Sequence, residues 1–383
     1  MTVQEILKRY PQIRQAQPKD NQSILDLYES VTMNSGGLVL KYTRKGDFFR
    51  FLKEQGRNYL TYLVCNEDGS VHGMASYVIT DAVVEGKVVP TAYMCDARVA
   101  KTMEAESRRQ WRQFYVETVE NSHELEEFEK CEYMFSAILD ANKIALRAFT
   151  KKDSPLEFVP TQNYQAQQVI GKKWFASRSD KYSVRKVSLE ELDRVKSFLV
   201  RASEERALGL SLAEIERRLE SWEDLNEESF LVCVDSSDRW LALTAPVSFT
   251  HSRSLVVDDA PKSLLFLSKA ARLFGGPSLV KGKDIKTTYL THLEFNADLD
   301  EDERLWCVRS FLDHLFDKVV TQEQNMLSFV WPKGVRLSGH PSLSCYIMQK
   351  TNGTYYQVYP KSRAGTLKKF EREKNFSFEV ALA

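Results

Sequence analysis

Residues 91–112, TAYMCDARVAKTMEAESRRQWR, decide the fold of the first half of the chain. The part from Thr91 to Val99 has the apolar and β-branched character of a strand. A polar stretch follows, and an amphipathic pattern then runs from about Ser107 to Val119, which predicts a helix. The sequence therefore predicts a strand, a polar loop and a helix in direct succession.

The rest of the first half continues this mixed α/β pattern, in the order β-α-α-β-β-β-α-β-α. The other predicted strands are Ile13–Ala16, Tyr59–Cys65, Met74–Ile79, a hairpin over Val83–Val89, and Tyr133–Leu139. The other predicted helices are Asn21–Ser30, with Asp20 as its N-cap, Phe48–Gln55 and Asn142–Lys151. A Gly-Gly pair at 36–37 predicts a turn.

A similar order follows the polar segment Thr161–Tyr182, where we expect a domain boundary. The predicted strands are Val184–Val187, Phe230–Val234, Leu241–Phe249, Thr288–Phe295, Met326–Trp331 and a hairpin over Cys345–Tyr359 that turns at Asn352-Gly353. The predicted helices are Leu189–Ala202, Leu212–Trp222, Lys262–Leu273 and Asp302–Val319.

Residue matches between the halves favour a duplicated domain. TAYM at 91–94 corresponds to TTYL at 287–290, and YMFS at 133–136 corresponds to NMLS at 325–328. A tryptophan follows the first strand of each pair, Trp111 in one half and Trp306 in the other. We expect domains at 1–170 and 183–365, followed by a C-terminal tail at 366–383.

The composition is that of a soluble globular chain. Its 383 residues suggest two domains, and its 53 basic residues balance 53 acidic ones. No overall field therefore attracts nucleic acid or an anionic membrane. The six cysteines are widely spaced, and no signal peptide or membrane span is recognisable. We expect a cytoplasmic protein without nucleic-acid or membrane partners.

The element order resembles the GNAT family of N-acetyltransferases, with the fold present twice in tandem. In that family a central strand leads into a helix, and the N–H groups of the intervening loop hold the pyrophosphate of acetyl-CoA. The resemblance implies an α/β fold with two mixed β-sheets flanked by helices. It also implies acetyl-CoA as the acyl donor, held by Arg98, Val99, Arg108, Arg109, Arg112 and Asn142.

Three features depart from the family pattern. Residues 101–112 contain none of the glycines of the usual R/Q-x-x-G-x-G/A loop, although four basic residues there outnumber two acids. The matching segment 297–308 has five acids and one arginine, which would repel a pyrophosphate. Phe149 stands where many GNAT enzymes have a tyrosine that protonates the departing thiolate. We therefore expect the first half to be the one that binds acetyl-CoA.

Each candidate residue also has a structural interpretation. Asp96 would be a general base, or it would pair with Arg98, Lys101 or another basic side chain. His292 and Glu294 would form an acid–base pair in the second half, or would fill a vestigial cleft. The arginines at 108, 109 and 112 would clamp phosphate, or would lie on a solvated helix face. Asn142 would bind the pantetheine arm, or would cap its helix.

The function expected from the resemblance is acetyl transfer from acetyl-CoA to an amine of a small-molecule or peptide acceptor. A catalytically inactive binding or regulatory module on the same scaffold is the first alternative. A tRNA-dependent aminoacyl transferase of tandem-GNAT type is the second, although the neutral charge argues against it. The acceptor and the oligomeric state are left open by the sequence.

Overall fold

The computed structural model describes most of the residues of the chain. They are 1–30, 32–35, 38–131, 133–151, 153–173, 177–204, 206–273, 279–320, 325–332, 337, 339–363 and 379. The turn predicted at 36–37 lies outside them, as does most of the predicted tail.

Helices and strands alternate along the described chain. The α-helices are α1 Val3–Leu7, α2 Asn21–Glu29, α3 Phe48–Gln55, α4 Ala105–Asn121, α5 Lys143–Phe149, α6 Leu192–Glu204, α7 Leu212–Ser221, α8 Lys262–Leu273 and α9 Glu301–Val319. The strands are β1 Ile13–Gln15, β2 Thr32–Ser35, β3 Leu38–Arg44, β4 Asn58–Cys65, β5 Val71–Val84, β6 Lys87–Val99, β7 Tyr133–Leu139, β8 Leu156–Lys172, β9 Ser183–Lys186, β10 Leu231–Val234, β11 Trp240–Ser248, β12 Arg253–Asp259, β13 Asp284–Phe295, β14 Asn325–Pro332 and β15 Tyr346–Pro360.

One large mixed sheet joins the two halves, in the order β1-β4-β5-β6-β7-β15-β8-β14-β13-β11-β10-β9. The strand arrangement from one edge inward, β1-β4-β5-β6-β7, matches the arrangement from the other edge, β9-β10-β11-β13-β14. Strands β6 and β7 pair in parallel, as do β13 and β14, while the other pairs are antiparallel. The predicted mixed α/β fold is confirmed.

The middle of the sheet differs from the prediction for Cys345–Tyr359. This segment is no hairpin, because β15 runs straight through Asn352-Gly353 and pairs with β7 on one side and β8 on the other. A Cβ at Gly353 would collide with the ring of Tyr164 on β8, so the glycine permits a close approach rather than a turn. Most of the expected boundary segment Thr161–Tyr182 likewise belongs to β8, while the domain limits themselves stay a prediction.

A small second sheet, which the sequence did not reveal, covers the junction of the halves. Strand β3 pairs with β2 and with β12, and β12 also pairs with the start of β13. Two strands about 210 residues apart in the chain therefore lie side by side, Arg44 opposite Arg253. This arrangement brings β3 of the first half against the second half.

Helix α4 packs on the sheet through one face. Its buried residues recur at three- and four-residue spacing, the period of a helix with one inward stripe: Ser107, Gln110, Phe114 and Thr118. The Phe114 ring is fully buried and lies 4.9 Å from the ring of Tyr62 on β4. Truncating such a ring to Ala costs about 3–5 kcal/mol, so this contact anchors α4 on the sheet.

The predicted cap of α2 is wrong in its detail. Asp20 precedes the helix but makes no side-chain capping bond to it. Its carboxylate instead accepts two hydrogen bonds from the Arg14 guanidinium, at 2.6 and 2.8 Å. Arg14 lowers the pKa of Asp20, because the ion pair favours the charged carboxylate.

Candidate functional site

A β-bulge lies in the middle of β6. Ser76 faces Cys95 and Met74 faces Arg98, so Asp96 and Ala97 together oppose the single residue 75 of β5. Asp96 has a φ of 52°, in the left-handed region that non-glycine residues rarely adopt. Such a bulge bends its strand and frees a backbone N–H from the ladder.

Beyond the bulge, β6 and β7 separate. They pair over three residues only, the last being Tyr93 opposite Phe135. The Ser136 hydroxyl then donates to the Met94 carbonyl at 3.0 Å and closes the narrow end of the gap. A wedge therefore opens between the two parallel strands, with the bulge on one wall.

Asp96, the predicted general base, is ion-paired. The Arg44 Nη2 atom donates to both carboxylate oxygens, at 2.9 and 3.0 Å. The two side chains are 3% and 8% exposed, and the Arg44 guanidinium lies 4.4 Å from the centre of the Phe51 ring. The structure therefore shows Asp96 in an ion pair, and its partner is Arg44 of β3 rather than Arg98 or Lys101.

The loop from β6 to α4 is held from the inside by Asn66. Its Oδ1 accepts from the Glu104 backbone N–H at 3.1 Å and from the Ser107 hydroxyl at 3.4 Å. Its amide also donates to the Thr102 carbonyl at 3.4 Å. The sequence did not predict this contact, since nothing local shows that the Asn66 side chain reaches a loop 38 residues away.

The N-terminus of α4 has no side-chain cap within the described structure. Glu104 occupies the N-cap position in an extended conformation and makes no capping bond. The N–H groups of the first helical turn therefore point outward without a capping side chain, and the helix dipole places a partial positive charge there. This end of the helix can receive an anion.

A groove of about 560 Å³ adjoins this helix end. It is lined by Met103, Ala105, Arg108, Arg109, Arg112 and Gln113. The structure thus brings together the three arginines predicted on α4. Arg109 binds Glu106 at 2.5 Å, and this ion pair lowers the pKa of Glu106 to about 2.

Two other predicted residues on β6 lie away from that lining. The Arg98 guanidinium stacks over the Tyr28 ring of α2, 4.7 Å from its centre, and its Nε is buried without a hydrogen-bond partner among the described residues. Val99 is 45% exposed at the end of the strand. The structure therefore places Arg98 with α2 rather than with the groove.

Asn142 caps α5, which is the structural interpretation of this residue. Its Oδ1 accepts from the Ala145 backbone N–H at 3.1 Å. At the other end of α5, the Phe149 ring stacks on Phe158 at 4.7 Å and lies 6.4 Å from Tyr115 of α4. The Tyr115 hydroxyl contacts the Met94 sulfur at 3.9 Å, beside the wedge.

The second half has a bulge at the corresponding place. Ala245 faces Thr291 and Leu243 faces Glu294, so His292 and Leu293 oppose one residue of β11. His292 has a φ of 51°, and β13 pairs with β14 over four residues before the strands separate. The two bulges therefore match in register and in backbone conformation.

His292 and Glu294 are both engaged by arginines rather than by each other. The His292 Nε2 atom lies 3.3 Å from Arg218 Nη1, and burial followed by the charge of Arg218 lowers the pKa of His292 well below its ordinary value. Glu294 binds Arg206 at 2.5 Å. Because His292 stays neutral with Nε2 facing a cation, it is poorly placed to act as a base.

The N-terminus of α9 is closed to anions. Asp300 and Glu303 form a capping box, in which the Asp300 side chain accepts from the Glu303 N–H at 2.8 Å. Glu301, Asp302 and Glu303 place three acids in the first turn. Phosphate would meet a capped and negatively charged helix end here.

Comparison with known proteins shows the fold. No protein-family model matches the sequence, and no curated protein matches it. Saccharomyces cerevisiae N-myristoyltransferase with bound myristoyl-CoA and inhibitors is similar in structure, with a TM-score of 0.54, 12% identity, and 96% of this chain and 87% of that chain covered. A GCN5-related N-acetyltransferase from Sphaerobacter thermophilus has a TM-score of 0.51, 10% identity, and coverages of 96% and 98%.

A third similar structure contains a region related to the same enzymes. It is the GCN5-related glucosamine N-acetyltransferase region of a fungal multi-domain GH3 β-N-acetylglucosaminidase, with a TM-score of 0.55, 10% identity, and 90% of this chain but 37% of that chain covered. At such identities the likeness concerns the fold alone. The chain therefore has the fold shared by GCN5-related N-acetyltransferases and N-myristoyltransferase.

Two structural features are absent from the described residues. None of their helices has both the length and the apolar character that crossing a bilayer requires. No group of three or more His, Cys, Asp or Glu side chains among them is arranged to hold a metal ion.

Proposed function

We propose that this protein transfers an acyl group from acyl-CoA to an amine, and that its first half binds the donor. The observation that carries the proposal is the uncapped N-terminus of α4 beside a groove lined by Arg108, Arg109 and Arg112. The pyrophosphate of CoA needs N–H donors and cations, and this place supplies both. The capped and acidic start of α9 supplies neither.

Acetyl-CoA is the donor expected from the sequence. The structure of yeast N-myristoyltransferase contains myristoyl-CoA, so a long-chain donor is the competing case. Both donors carry the same pyrophosphate, which is the group the groove would recognise. We further propose a small-molecule or peptide amine as acceptor, an origin of the two halves by duplication, and a cytoplasmic location.

The chemistry would take place in the wedge beside the bulge at Asp96. The acceptor nitrogen attacks the thioester carbon, and a backbone N–H freed by the bulge stabilises the oxyanion that forms. The carbon–sulfur bond then breaks and the thiolate leaves. The surplus proton of the amine passes to water or to the Asp96 carboxylate, whose two oxygens are held in place by Arg44.

Tyr115 would supply a proton to the departing thiolate, in place of the tyrosine missing at position 149. Its hydroxyl contacts the Met94 sulfur beside the wedge, and its ring neighbours Phe149. Burial raises the pKa of Tyr115, so the hydroxyl keeps its proton at neutral pH. Because a phenol of raised pKa is a weaker acid than a thiol, the surplus amine proton must return through water to the Tyr115 oxygen as the phenol proton moves to the sulfur.

The inactive binding module remains the second candidate function. It is favoured by Asp96, since both carboxylate oxygens already accept from Arg44, and by Asn142, whose side chain caps its own helix. Such a protein would bind acyl-CoA or a degenerate ligand without turnover. The tRNA-dependent reaction has less support, because the chain has no net charge.

Calorimetric titration with acetyl-CoA, myristoyl-CoA and free CoA tests the donor site. We expect one site per chain that all three occupy, with affinity weakened by Arg108→Ala and by Arg112→Ala. Arg147→Ala on the exposed surface of α5 is the matched control and should leave binding unchanged. Absence of binding at millimolar donor would defeat both the enzyme and the acyl-CoA-binding module.

A turnover assay then separates enzyme from binding module. Release of the CoA thiol is followed across a panel of amines, with each donor that binds. Amine-dependent release supports the transferase, and its loss in Arg108→Ala assigns it to the groove. Donor binding without release for any amine would support the inactive module.

A further inference from the structure

A carboxyl group occupies the bulge of the second half. Glu379, near the C-terminus, accepts a hydrogen bond from the His292 backbone N–H through Oε1 at 2.5 Å. The same oxygen lies 3.9 Å from Arg218 Nη1, and the Glu379 side chain is 15% exposed. The N–H that the bulge frees from the ladder is thus taken by a residue 87 positions away in the chain.

The surroundings of that carboxyl form an enclosed receptor. Arg218 is 5% exposed and is held in place by Glu214, which binds its Nε at 2.9 Å. The Trp222 ring lies 5.3 Å from the His292 ring and 5.0 Å from the Arg218 guanidinium. The His292 N–H and the Arg218 guanidinium therefore both face the Glu379 carboxyl, and neither depends on an exposed side chain.

We propose that the bulge of the second half is a carboxyl-binding site, and that its ligand is Glu379, which is thereby attached to β13. The receptor consists of the His292 N–H and the Arg218 guanidinium. In the first half the equivalent bulge faces the proposed acyl-transfer wedge. In the second half, whose helix α9 is closed to phosphate, the chain itself fills the corresponding place.

The charges facing Glu379 make its attachment depend on pH. Burial raises the pKa of Glu379 to about 7 and Glu294 adds to this, while Arg218, the His292 N–H and Arg206 act in the opposite direction. The other ionisable groups nearby are Glu214, behind Arg218 on α7, His292 itself, and Tyr355 of β15. The carboxyl is therefore part protonated near neutral pH, and the His292 N–H donates to either form.

The direction of the pH effect follows from the shift. A released glutamate titrates near 4.5, and the attached one titrates near 7. Attachment is therefore strongest below pH 4.5 and weakens as pH rises from 4.5 to 7, because over this range the released carboxyl loses its proton while the attached one keeps it. Within that window the attachment constant should fall by up to about tenfold per pH unit, and above pH 7 it should level off.

Hydrogen exchange of the His292 amide measures the attachment directly, in the full chain and without acyl-CoA. At pH 6.5 we expect that amide to exchange at least about tenfold faster in Glu379→Ala than in the unchanged protein, because it loses its acceptor. Glu373→Ala removes a carboxylate from the same tail and should leave the exchange unchanged. Equal protection in Glu379→Ala and in the unchanged protein would overturn the proposal.

The neutral isostere and an added peptide complete the test. After correction for intrinsic exchange, protection should fall between about pH 5 and about pH 7 in the unchanged protein and stay constant in Glu379→Gln. A peptide of residues 375–383 should restore protection to Glu379→Ala, whereas the same peptide with Ala at the glutamate should not. A Glu379→Gln profile that follows the unchanged protein, or no rescue by the peptide, would count against it. None of these outcomes depends on acyl transfer.

Discussion

In each half a bulged strand leads into a helix, β6 into α4 and β13 into α9. The two strand–helix pairs follow the same backbone path, but the first turn of the helix differs between them. Both strands carry a bulge with a left-handed residue, and both separate from a parallel neighbour. At the end of the path, α4 begins uncapped beside three arginines, while α9 begins with a capping box and three acids. We therefore propose that the capacity to receive phosphate depends on the helix cap and the local charge rather than on the strand geometry that both halves keep.

The two bulges also differ in the partner that each one binds. Asp96 is paired with a buried arginine of its own half, whereas the His292 N–H binds a glutamate from the end of the chain. Each bulge thus faces a different chemical environment although its φ value is the same within 1°. The predictions below test this contrast in order of expected size.

Removing the counter-charge at the first bulge should have the largest effect. Asp96→Ala leaves the Arg44 guanidinium, 3% exposed, without its carboxylate. We expect the free energy of unfolding to fall by about 3–5 kcal/mol, measured by chemical denaturation. The double variant Arg44→Met with Asp96→Ala should recover much of the loss, since neither charge of the pair is left buried without its partner. A loss below about 1 kcal/mol in the single variant would show that the pair is not desolvated.

Reversing the charge of the groove should abolish donor binding. Arg108→Glu combined with Arg112→Glu makes the start of α4 acidic, as α9 is. We expect the affinity for CoA to fall at least about 100-fold in calorimetry, because charge-assisted bonds to phosphate are replaced by repulsion. Arg147→Glu is the control, with unchanged affinity expected. Retained binding in the double variant would place the donor elsewhere.

Removing the Tyr115 hydroxyl should slow turnover without weakening binding. We expect Tyr115→Phe to lower kcat about tenfold, less than the roughly hundredfold or more usual for general acids, because a thiolate leaves readily. The dissociation constant for acyl-CoA should not change. Tyr59→Phe on β4 is the matched loss of a hydroxyl. An unchanged kcat in Tyr115→Phe would remove Tyr115 from the mechanism.

The smallest effect is expected at the capped N-terminus of α9. Asp300→Ala removes the side-chain cap of α9 and should cost about 1 kcal/mol of unfolding free energy. Because the three acids of the first turn remain, CoA binding should not change. The exposed Asp180→Ala serves as control for both measurements. A second CoA site appearing in Asp300→Ala would mean that the cap alone keeps phosphate away from α9.

Much of the local structure could be predicted from the sequence. Periodicity located the strand ending at Val99, the helix after it and the strand Tyr133–Leu139, which the structure reproduces to within a few residues. The charge difference between segments 101–112 and 297–308 was readable directly from their residues. These features depend on neighbours within one element, which is the range that residue patterns report.

Non-local pairings could not be predicted in the same way. The hairpin expected at Asn352-Gly353 failed because a partner strand, and Tyr164 within it, required the glycine for a close approach. Arg44 became the partner of Asp96 through strand β3, and Asn66 holds a loop 38 residues away. Glu379 binds the backbone of β13 at a residue 87 positions earlier in the chain. No spacing rule links residues so far apart.

Hydrogen exchange with and without CoA tests the central claim, that the first half alone receives the donor. We predict slower exchange for backbone amides of residues 99–112, at the start of α4, and no change for residues 295–308, at the start of α9. Protection at the start of α9, or at neither helix end although CoA binds, would contradict it.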